Sequence, residues 1–169
     1  MRHVLSALLL CSSSFSIAAP ARAAVATAPS TPSTPATTVV PQPPTKQWTK
    51  VVIDLSEQHL EVFNSSGTRV KRWPLSSGAS STPTPLGRFK VTSKSRSTFV
   101  TDNPAVTMQY MVRFNGNIGF HAIPRRNGKP LETPLGKRAV SHGCIRLADA
   151  NARALFAHLD LASVVIVQR

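Results

Sequence analysis

Residues 24–46 set the tightest limit on what this chain can fold into. Fourteen of these 23 residues are Pro, Ser or Thr, and a single lysine is the only charge. Such a stretch has too few apolar side chains to bury a core, so we expect an extended linker with polyproline II character. Folding is therefore confined to residues 47–169, which are enough for one domain with its own core.

The first 23 residues read as a secretory signal peptide. A basic start at Arg2 is followed by a mostly apolar run at 4–10, and Ala21 and Ala23 form the small-x-small pattern typical of a cleavage site. The apolar run is shorter than the roughly 20 residues that a membrane-spanning helix needs. We therefore expect an exported protein that acts in the periplasm or the cell wall.

The expected mature chain is strongly basic. Of the chain's 20 Lys and Arg, 18 follow residue 23, against 7 Asp and Glu. Such a charge usually indicates nucleic acid, but export favours the anionic partners of an envelope: wall polymers, lipid head groups and substrates with free carboxylates. The alternative is a basic surface that only confers solubility.

Export also bears on the cysteine count. Cys11 would leave with the signal peptide, so Cys144 would be the one thiol of the mature chain. Secreted proteins normally pair their cysteines as disulfides, and an unpaired thiol there indicates chemistry or an intermolecular bridge. Cys144 is therefore the leading candidate for a nucleophile.

The hydrophobic pattern of residues 47–169 is mostly that of strands. The first three segments, separated by turns, predict an antiparallel meander. A final segment that is apolar throughout predicts a closing buried strand. The predicted strands lie at 51–55, 60–62, 68–75, 89–91, 108–114, 118–121 and 164–167.

Two of these strands flank a hairpin turn predicted at Asn115-Gly116-Asn117. In the second strand, alternation points His121 away from the face of Phe120. In the first strand, alternation separates two sets of side chains: Met108, Tyr110, Val112 and Phe114 on one face, and Gln109, Met111 and Arg113 on the other.

The segment from Ala122 to Val140 is a predicted long loop with five basic residues. Loops of this length in a compact domain are typically lids or binding loops. After Cys144 a helix is expected, with Asp149 as its N-cap. Its apolar face is predicted from residues at helical spacing: Ala152, Leu155, Phe156 and Leu159.

Two histidines are available to activate Cys144. His142 is only two residues away, so its side chain should diverge from the thiol in an extended loop. His121 stands at a strand end, where a sheet can aim it. We favour His121 as the base and His142 as a loop-shaping residue, with a thiolate stabilised by the imidazole as the working form.

The residues around Cys144 suggest the rest of the site. Gly143 has no Cβ, so it permits a tight backbone between Ser141 and Cys144. The backbone N–H groups of His142, Gly143 and Cys144 could converge as an oxyanion hole. Arg146 suits a substrate carboxylate because its guanidinium binds carboxylates bidentately.

Each assignment has an alternative. Cys144 could be a small buried hydrophobe, His121 a structural histidine, and Arg146 a partner for Asp149. His121, His142 and Cys144 could also bind zinc, although they lack the paired spacings of structural zinc sites. We expect neither a metal nor a cofactor.

The segment Ser141-His142-Gly143-Cys144-Ile145-Arg146 closely resembles the active-site signature of the L,D-transpeptidase family, also called YkuD-like. That signature is an upstream histidine, a variable gap, Ser or Thr, then His-Gly-Cys, an apolar residue, and Arg or Asn. The resemblance covers about residues 50–167. It includes the family's opening hairpin, its Thr-Pro-x-Gly-x-Phe segment and its histidine-bearing strand, at 54–63, 77–89 and 118–121 respectively.

The resemblance implies a mainly β, sandwich-like catalytic domain with one or two short helices, the main one after the cysteine. In this family the cysteine matching Cys144 attacks the carbonyl of the third residue of a peptidoglycan stem peptide, expels D-alanine and forms a thioester. The amine of a second stem then gives a 3–3 cross-link, whereas water gives carboxypeptidase activity. Carbapenems typically acylate the same cysteine.

The histidine matching His121 serves as the base and is oriented through its other nitrogen. The family usually has Gly or Ser after this histidine, whereas this chain has Ala122. A side-chain orienter is therefore absent at that position, and we expect the backbone carbonyl of Ala122 to hold His121.

Three functions remain open. The first is a peptidoglycan L,D-transpeptidase that forms 3–3 cross-links or attaches proteins to the wall. The second is an L,D-carboxypeptidase or endopeptidase that hydrolyses the same acyl-enzyme, and the third is a non-catalytic, basic wall-binding protein. The expected partners are donor and acceptor stem peptides, with carbapenems as inhibitors, and neither nucleic acid nor a transmembrane segment of the mature form is expected.

Overall fold

A computed structural model describes residues 48–169. The predicted signal peptide, the predicted linker and Gln47 lie outside the described residues. Within 48–169 no helix is long and apolar enough to cross a membrane. The elements in chain order are β1 Trp48–Asp54, β2 His59–Asn64, β3 Arg69–Pro74, β4 Gly87–Lys90, β5 Ser93–Val100, β6 Asn103–Asn115, β7 Ile118–Ala122, β8 Arg125–Arg126, β9 Lys129–Pro130, β10 Ile145–Leu147, α1 Asp149–His158 and β11 Leu159–Gln168.

The first sheet has five strands in the order β3-β2-β1-β11-β4. The predicted antiparallel meander of β1, β2 and β3 is confirmed. The closing strand β11 lies beside β1 in parallel and beside β4 antiparallel. Burial alternates along β11: Val165 and Val167 enter the core, and Val164 and Ile166 are half-buried on the outer face.

The second sheet has six strands, with the path β10-β7-β6-β8-β9 and β5 paired with β6. The hairpin between β6 and β7 is present as predicted. β10 pairs with β7 in parallel. The predicted long loop at 122–140 contains the short hairpin β8–β9, which extends the sheet at the edge of β6.

One face assignment in β6 is wrong. Tyr110 has φ 57°, in the left-handed region, so regular alternation is interrupted there. Met108 therefore lines the same cleft as Met111, whereas Val112 and Phe114 enter the core as expected.

A single hydrophobic cluster joins side chains of both sheets and the helix. Phe114 of β6 packs between Phe89 of β4 and Phe120 of β7, with ring centroids 5.6 and 5.1 Å apart. Each buried aromatic side chain contributes about 1.5–3 kcal/mol of hydrophobic stabilisation. The core therefore fixes the position of β7, which carries His121.

The helix begins one residue earlier than expected. Its N-cap is Ala148, which makes no side-chain cap hydrogen bond, and Asp149 is its first residue. The Asp149 carboxylate instead accepts a hydrogen bond from Arg125, at 2.7 Å. This pair ties the segment after β7 to the start of the helix, where a carboxylate also complements the helix dipole.

Candidate active site

A cleft of about 720 Å³ opens on the face of the second sheet that is turned away from the core. This volume lies within the usual range for ligand sites. Cys144, His121 and Arg146 line one part of it, and Met111 and Arg113 line another. The tip of the β5–β6 hairpin, residues 98–103, forms a further wall.

Strand register explains why these residues share a face. In the parallel pair β7–β10, Phe120 lies beside Ile145 and both enter the core, while His121 lies beside Arg146. Cys144 precedes Ile145, so alternation turns it to the side of Arg146 and His121. The thiol and the imidazole therefore line the same cleft, with no direct hydrogen bond between them in the described part of the chain.

His121 is held through its own backbone neighbour. The side chain is 2% exposed, and Nδ1 lies 2.6 Å from the carbonyl oxygen of Ala122. A carbonyl only accepts hydrogen bonds, so Nδ1 carries the proton. Nε2 of the neutral ring then keeps a free lone pair, which is the arrangement that a general base requires.

Burial dominates the acid–base state of His121. Loss of hydration lowers its pKa from 6.5 to about 4, the hydrogen bond to Ala122 raises it in part, and the charge of Arg146 lowers it further. The imidazole is therefore neutral at pH 7.

Cys144 is half-buried, and its Sγ lies 3.7 Å from the carbonyl oxygen of Asn117. Burial raises the pKa of the Cys144 thiol, while the backbone of Gly119 and the charges of Arg113 and Arg146 partly lower it. The resting pair is thus a neutral thiol and a neutral imidazole. Burial disfavours the charged form of both groups at rest, and the thiolate expected as the working form stays a prediction.

The loop that carries the thiol is fixed by two buried hydroxyl groups. Ser141 Oγ accepts a hydrogen bond from the Gly143 N–H at 3.0 Å and donates to the Cys144 carbonyl at 2.5 Å. Thr84 Oγ1 accepts from the Gly78 N–H at 3.0 Å and donates to the Gly143 carbonyl at 2.8 Å. The loop geometry is therefore set by its own serine and by the segment before β4.

Gly143 has φ 109°, a conformation that only glycine adopts without strain. A Cβ at this position would also lie 3.2 Å from Cδ1 of Ile118. The Gly143 N–H already donates to Ser141 Oγ, so it is not free for its predicted role as an oxyanion donor. Within residues 48–169, the N–H groups of His142 and Cys144 have no such partner.

A second layer of contacts supports this loop. Ser76 and Arg146 exchange backbone hydrogen bonds at 3.0 and 2.9 Å, and the Ser141 N–H donates to the Ser77 carbonyl at 3.0 Å. Ser77 is in turn held by the buried Gln58, which donates to its hydroxyl at 2.8 Å and accepts from its N–H at 3.0 Å. Gln58 was not predicted to support the site, and Ser77 was named only as the start of the segment 77–89.

Arg146 is not a partner of Asp149, which binds Arg125 instead. The Nε of Arg146 is buried and has no hydrogen-bond partner within the described residues, and burial lowers the pKa of Arg146. Arg146 thus directs an unpaired cation at the cleft, as a carboxylate reader would.

Sequence reasoning missed Arg113 as a cleft residue. The available signal was its alternation with Val112 and Phe114, which placed it opposite the core and on the side of His121.

His142 lines the cleft as an exposed side chain. Among residues 48–169 no three His, Cys, Asp or Glu side chains are grouped as metal ligands, so the zinc alternative gains no geometric support.

Known proteins resemble this chain in sequence and in fold. Residues 49–167 match the family described as L,D-transpeptidase catalytic domain, YkuD. No curated protein sequence matches the chain significantly.

Three solved structures illustrate the likeness. An L,D-transpeptidase from Stackebrandtia nassauensis is 25% identical with a TM-score of 0.60, and the match covers 76% of this chain and 58% of that one. L,D-transpeptidase 3 from Mycobacterium tuberculosis, in complex with a faropenem-derived adduct, is 27% identical with a TM-score of 0.59, covering 71% and 60%.

The third is a fused Zn-dependent amidase/peptidase/peptidoglycan-binding domain-containing protein from Clostridium acetobutylicum. It is 32% identical with a TM-score of 0.58, and the match covers 70% of this chain and 50% of that one. The chain thus spans between 50% and 60% of the length of these three solved chains.

Proposed function

Because the chain belongs to the L,D-transpeptidase catalytic-domain family, we propose that it is a peptidoglycan L,D-transpeptidase working through a thioester on Cys144. The observation that carries this proposal is the cleft shared by Cys144 and His121, in which Ala122 orients the imidazole. The proposed substrates are stem peptides, and the proposed place of action is the periplasm or the cell wall.

The first step follows from the neutral resting pair. His121 Nε2 takes the proton of the Cys144 thiol as sulfur attacks the carbonyl carbon of the third stem residue. The tetrahedral intermediate then collapses, and the departing D-alanine amine takes the proton from His121. A thioester to Cys144 remains.

The second step releases the product. The side-chain amine of an acceptor stem attacks the thioester carbonyl, His121 accepts its proton, and the thiol is restored. The oxygen that becomes negative in both steps needs donors in place. We assign these to the backbone N–H groups of His142 and Cys144, because Ser141 already occupies that of Gly143.

The direct test incubates the full chain with muropeptides that carry tetrapeptide stems and analyses the products by mass spectrometry. We expect 3–3 cross-linked dimers and free D-alanine from the wild type, and neither from Cys144→Ala. Identical products from both proteins would refute the proposal.

The same assay separates the remaining candidates. Shortened monomers without dimers would identify water as the acceptor, and thus a carboxypeptidase or endopeptidase. A non-catalytic wall-binding protein would give no products, would bind sacculi less tightly as salt rises, and would not be acylated by a carbapenem.

A further inference from the structure

The charges in the cleft are unequal. Three arginines line it, Arg113, Arg126 and Arg146, whereas Asp102 is the one carboxylate among the described residues that line it. Two of these arginines act on the thiol, since Arg113 and Arg146 both lower the pKa of Cys144. Three arginines against Asp102 leave a net charge of +2 in the cleft, which a single substrate carboxylate would only halve.

Strand register places Arg113 in line with the thiol. Arg113 lies beside Gly119 in the β6–β7 pair, and Phe120 lies beside Ile145 in the β7–β10 pair. Continuing that register by one residue puts Cys144 on the other side of Gly119. With strands about 4.8 Å apart, the Cα atoms of Arg113 and Cys144 are about 10 Å apart across the floor of the cleft.

Gly119 keeps this floor clear. A Cβ there would lie 2.4 Å from the carbonyl oxygen of Val112 and 2.8 Å from Cα of Arg113. Only glycine therefore allows β7 to approach β6 this closely, and no side chain stands between Arg113 and Cys144.

The Arg113 guanidinium is held by hydrogen bonds to β5, which flanks Arg113 on the side opposite β7. Its Nη1 donates to Ser95 Oγ at 3.2 Å and its Nη2 to Thr98 Oγ1 at 3.4 Å, both on β5. Hydroxyl partners orient the group without neutralising it, so its charge stays available. Arg125, by contrast, is paired with the carboxylate of Asp149.

We propose that Arg113 is a specificity-determining residue that binds a second carboxylate of the acyl donor, in addition to the one expected at Arg146. The inference rests on the proposed function and narrows its substrate class. The preferred donor carries a terminal carboxylate on the leaving residue and a free carboxylate on the side chain of the residue that is attacked. A diaminodicarboxylate residue fits this requirement, whereas lysine or an amidated diamino acid does not.

A test that does not depend on the proposed function compares two alkylating agents. Iodoacetate and iodoacetamide both transfer their carbon to sulfur with loss of iodide and of the thiol proton, but only iodoacetate carries a carboxylate. Rates at Cys144 are followed in the full chain through the peptide of residues 139–146, which trypsin releases after Arg138 and Arg146. This peptide excludes any signal from Cys11.

We expect Arg113→Gln to lower the ratio of the iodoacetate rate to the iodoacetamide rate by about tenfold, because a charge-assisted contact is lost. Arg88→Gln removes the same charge from β4, outside the cleft, and should leave the ratio within about twofold of wild type. An unchanged ratio in Arg113→Gln would overturn the proposal. If Arg113→Gln does not fold, Arg113→Met, which keeps the apolar stem, is held to the same criterion.

A second arm uses donor stems that differ only in a carboxylate or an amide on the side chain of the third residue. We expect the wild type to favour the carboxylate donor in kcat/KM by about tenfold or more, and Arg113→Gln to reduce this preference to about twofold. If the wild type turns over neither donor, the proposed function fails, while the alkylation ratio still decides the role of Arg113. Equal preference in wild type and variant would overturn the proposal.

Discussion

The two walls of the cleft are built in opposite ways. On one side, the loop of residues 141–144 is held by buried hydroxyl groups of Ser141 and Thr84 and by backbone pairing with residues 76–78. On the other side, the β5–β6 tip is exposed, the β5–β6 register shifts between Phe99 and Val100, and Phe99 is 59% exposed.

This contrast separates two tasks. In the proposed mechanism the thiol and the imidazole must keep a defined geometry, because small displacements of reacting groups cost large factors in rate. The wall that faces the variable part of a substrate needs no such rigidity, and few buried contacts make local opening inexpensive. We therefore expect substitutions on the first wall to affect chemistry and stability, and those on the second to affect substrate binding.

The largest effect should come from the base on the rigid side. His121→Gln removes the proton acceptor, and we expect the rate of stem-peptide turnover to fall by about 10²- to 10⁴-fold. His59→Gln, on the first sheet outside the cleft, serves as the control and should turn over like the wild type. Turnover by His121→Gln within a few-fold of wild type would contradict the assignment of the chemistry to this side of the cleft.

Burial of His121 should also be visible in acid. Its folded-state pKa of about 4 lies below the unfolded value of about 6.5, so the unfolded chain binds more protons between these limits. Stability from this group is complete above pH 6.5 and is lost as pH falls toward 4, by about 3 kcal/mol in all. Urea unfolding across this window should show the loss in the wild type and a smaller one in His121→Gln. Equal pH dependence in both proteins would contradict the burial of a neutral imidazole.

A third prediction concerns the hydroxyl group that holds the cysteine loop. Thr84→Val leaves the Gly78 N–H and the Gly143 carbonyl without their partner, so we expect a loss of about 1–3 kcal/mol in the free energy of unfolding. We also expect the rate at which iodoacetamide alkylates Cys144 to differ from the wild-type rate, because the loop relaxes. Thr68→Val, in an exposed turn, is the matched control. Wild-type stability and reactivity in Thr84→Val would show that the loop holds its shape without this contact.

The smallest effect is expected on the exposed wall. Phe99→Ala should change the free energy of unfolding by less than about 0.5 kcal/mol, while KM for stem peptides rises by about three- to tenfold because an apolar contact is lost. Leu161→Ala removes a side chain that is 60% exposed and lies outside the cleft, so its KM should equal that of the wild type. A large stability loss in Phe99→Ala would mean that this wall is as firmly packed as the other.

Sequence patterns predicted those parts of the molecule that depend on neighbouring residues. The meander β1–β3, the β6–β7 hairpin and the face of His121 all follow from turns and alternation. The position of Met108 could not be predicted, because the interruption at Tyr110 has no sequence signal. The parallel pairing of β1 with β11, at opposite ends of the described chain, likewise depends on tertiary packing.

The site shows the same division. The motif around Cys144 and the face of His121 could be predicted, whereas the partner of Asp149 could not, since Arg125 precedes it by 24 residues. The neutral state of the thiol and imidazole also lay outside sequence reasoning. Desolvation depends on how much protein surrounds each group, which only the assembled sheet determines.

The central claim is that Cys144, activated by His121, accepts an acyl group. It is tested most directly by mass spectrometry of the full chain after incubation with faropenem, the drug whose adduct is present in one structural neighbour. We expect one covalent adduct on the peptide of residues 139–146 in the wild type, slower formation in His121→Gln, and no adduct in Cys144→Ala. An unmodified wild-type Cys144, or an adduct that persists in Cys144→Ala, would contradict it.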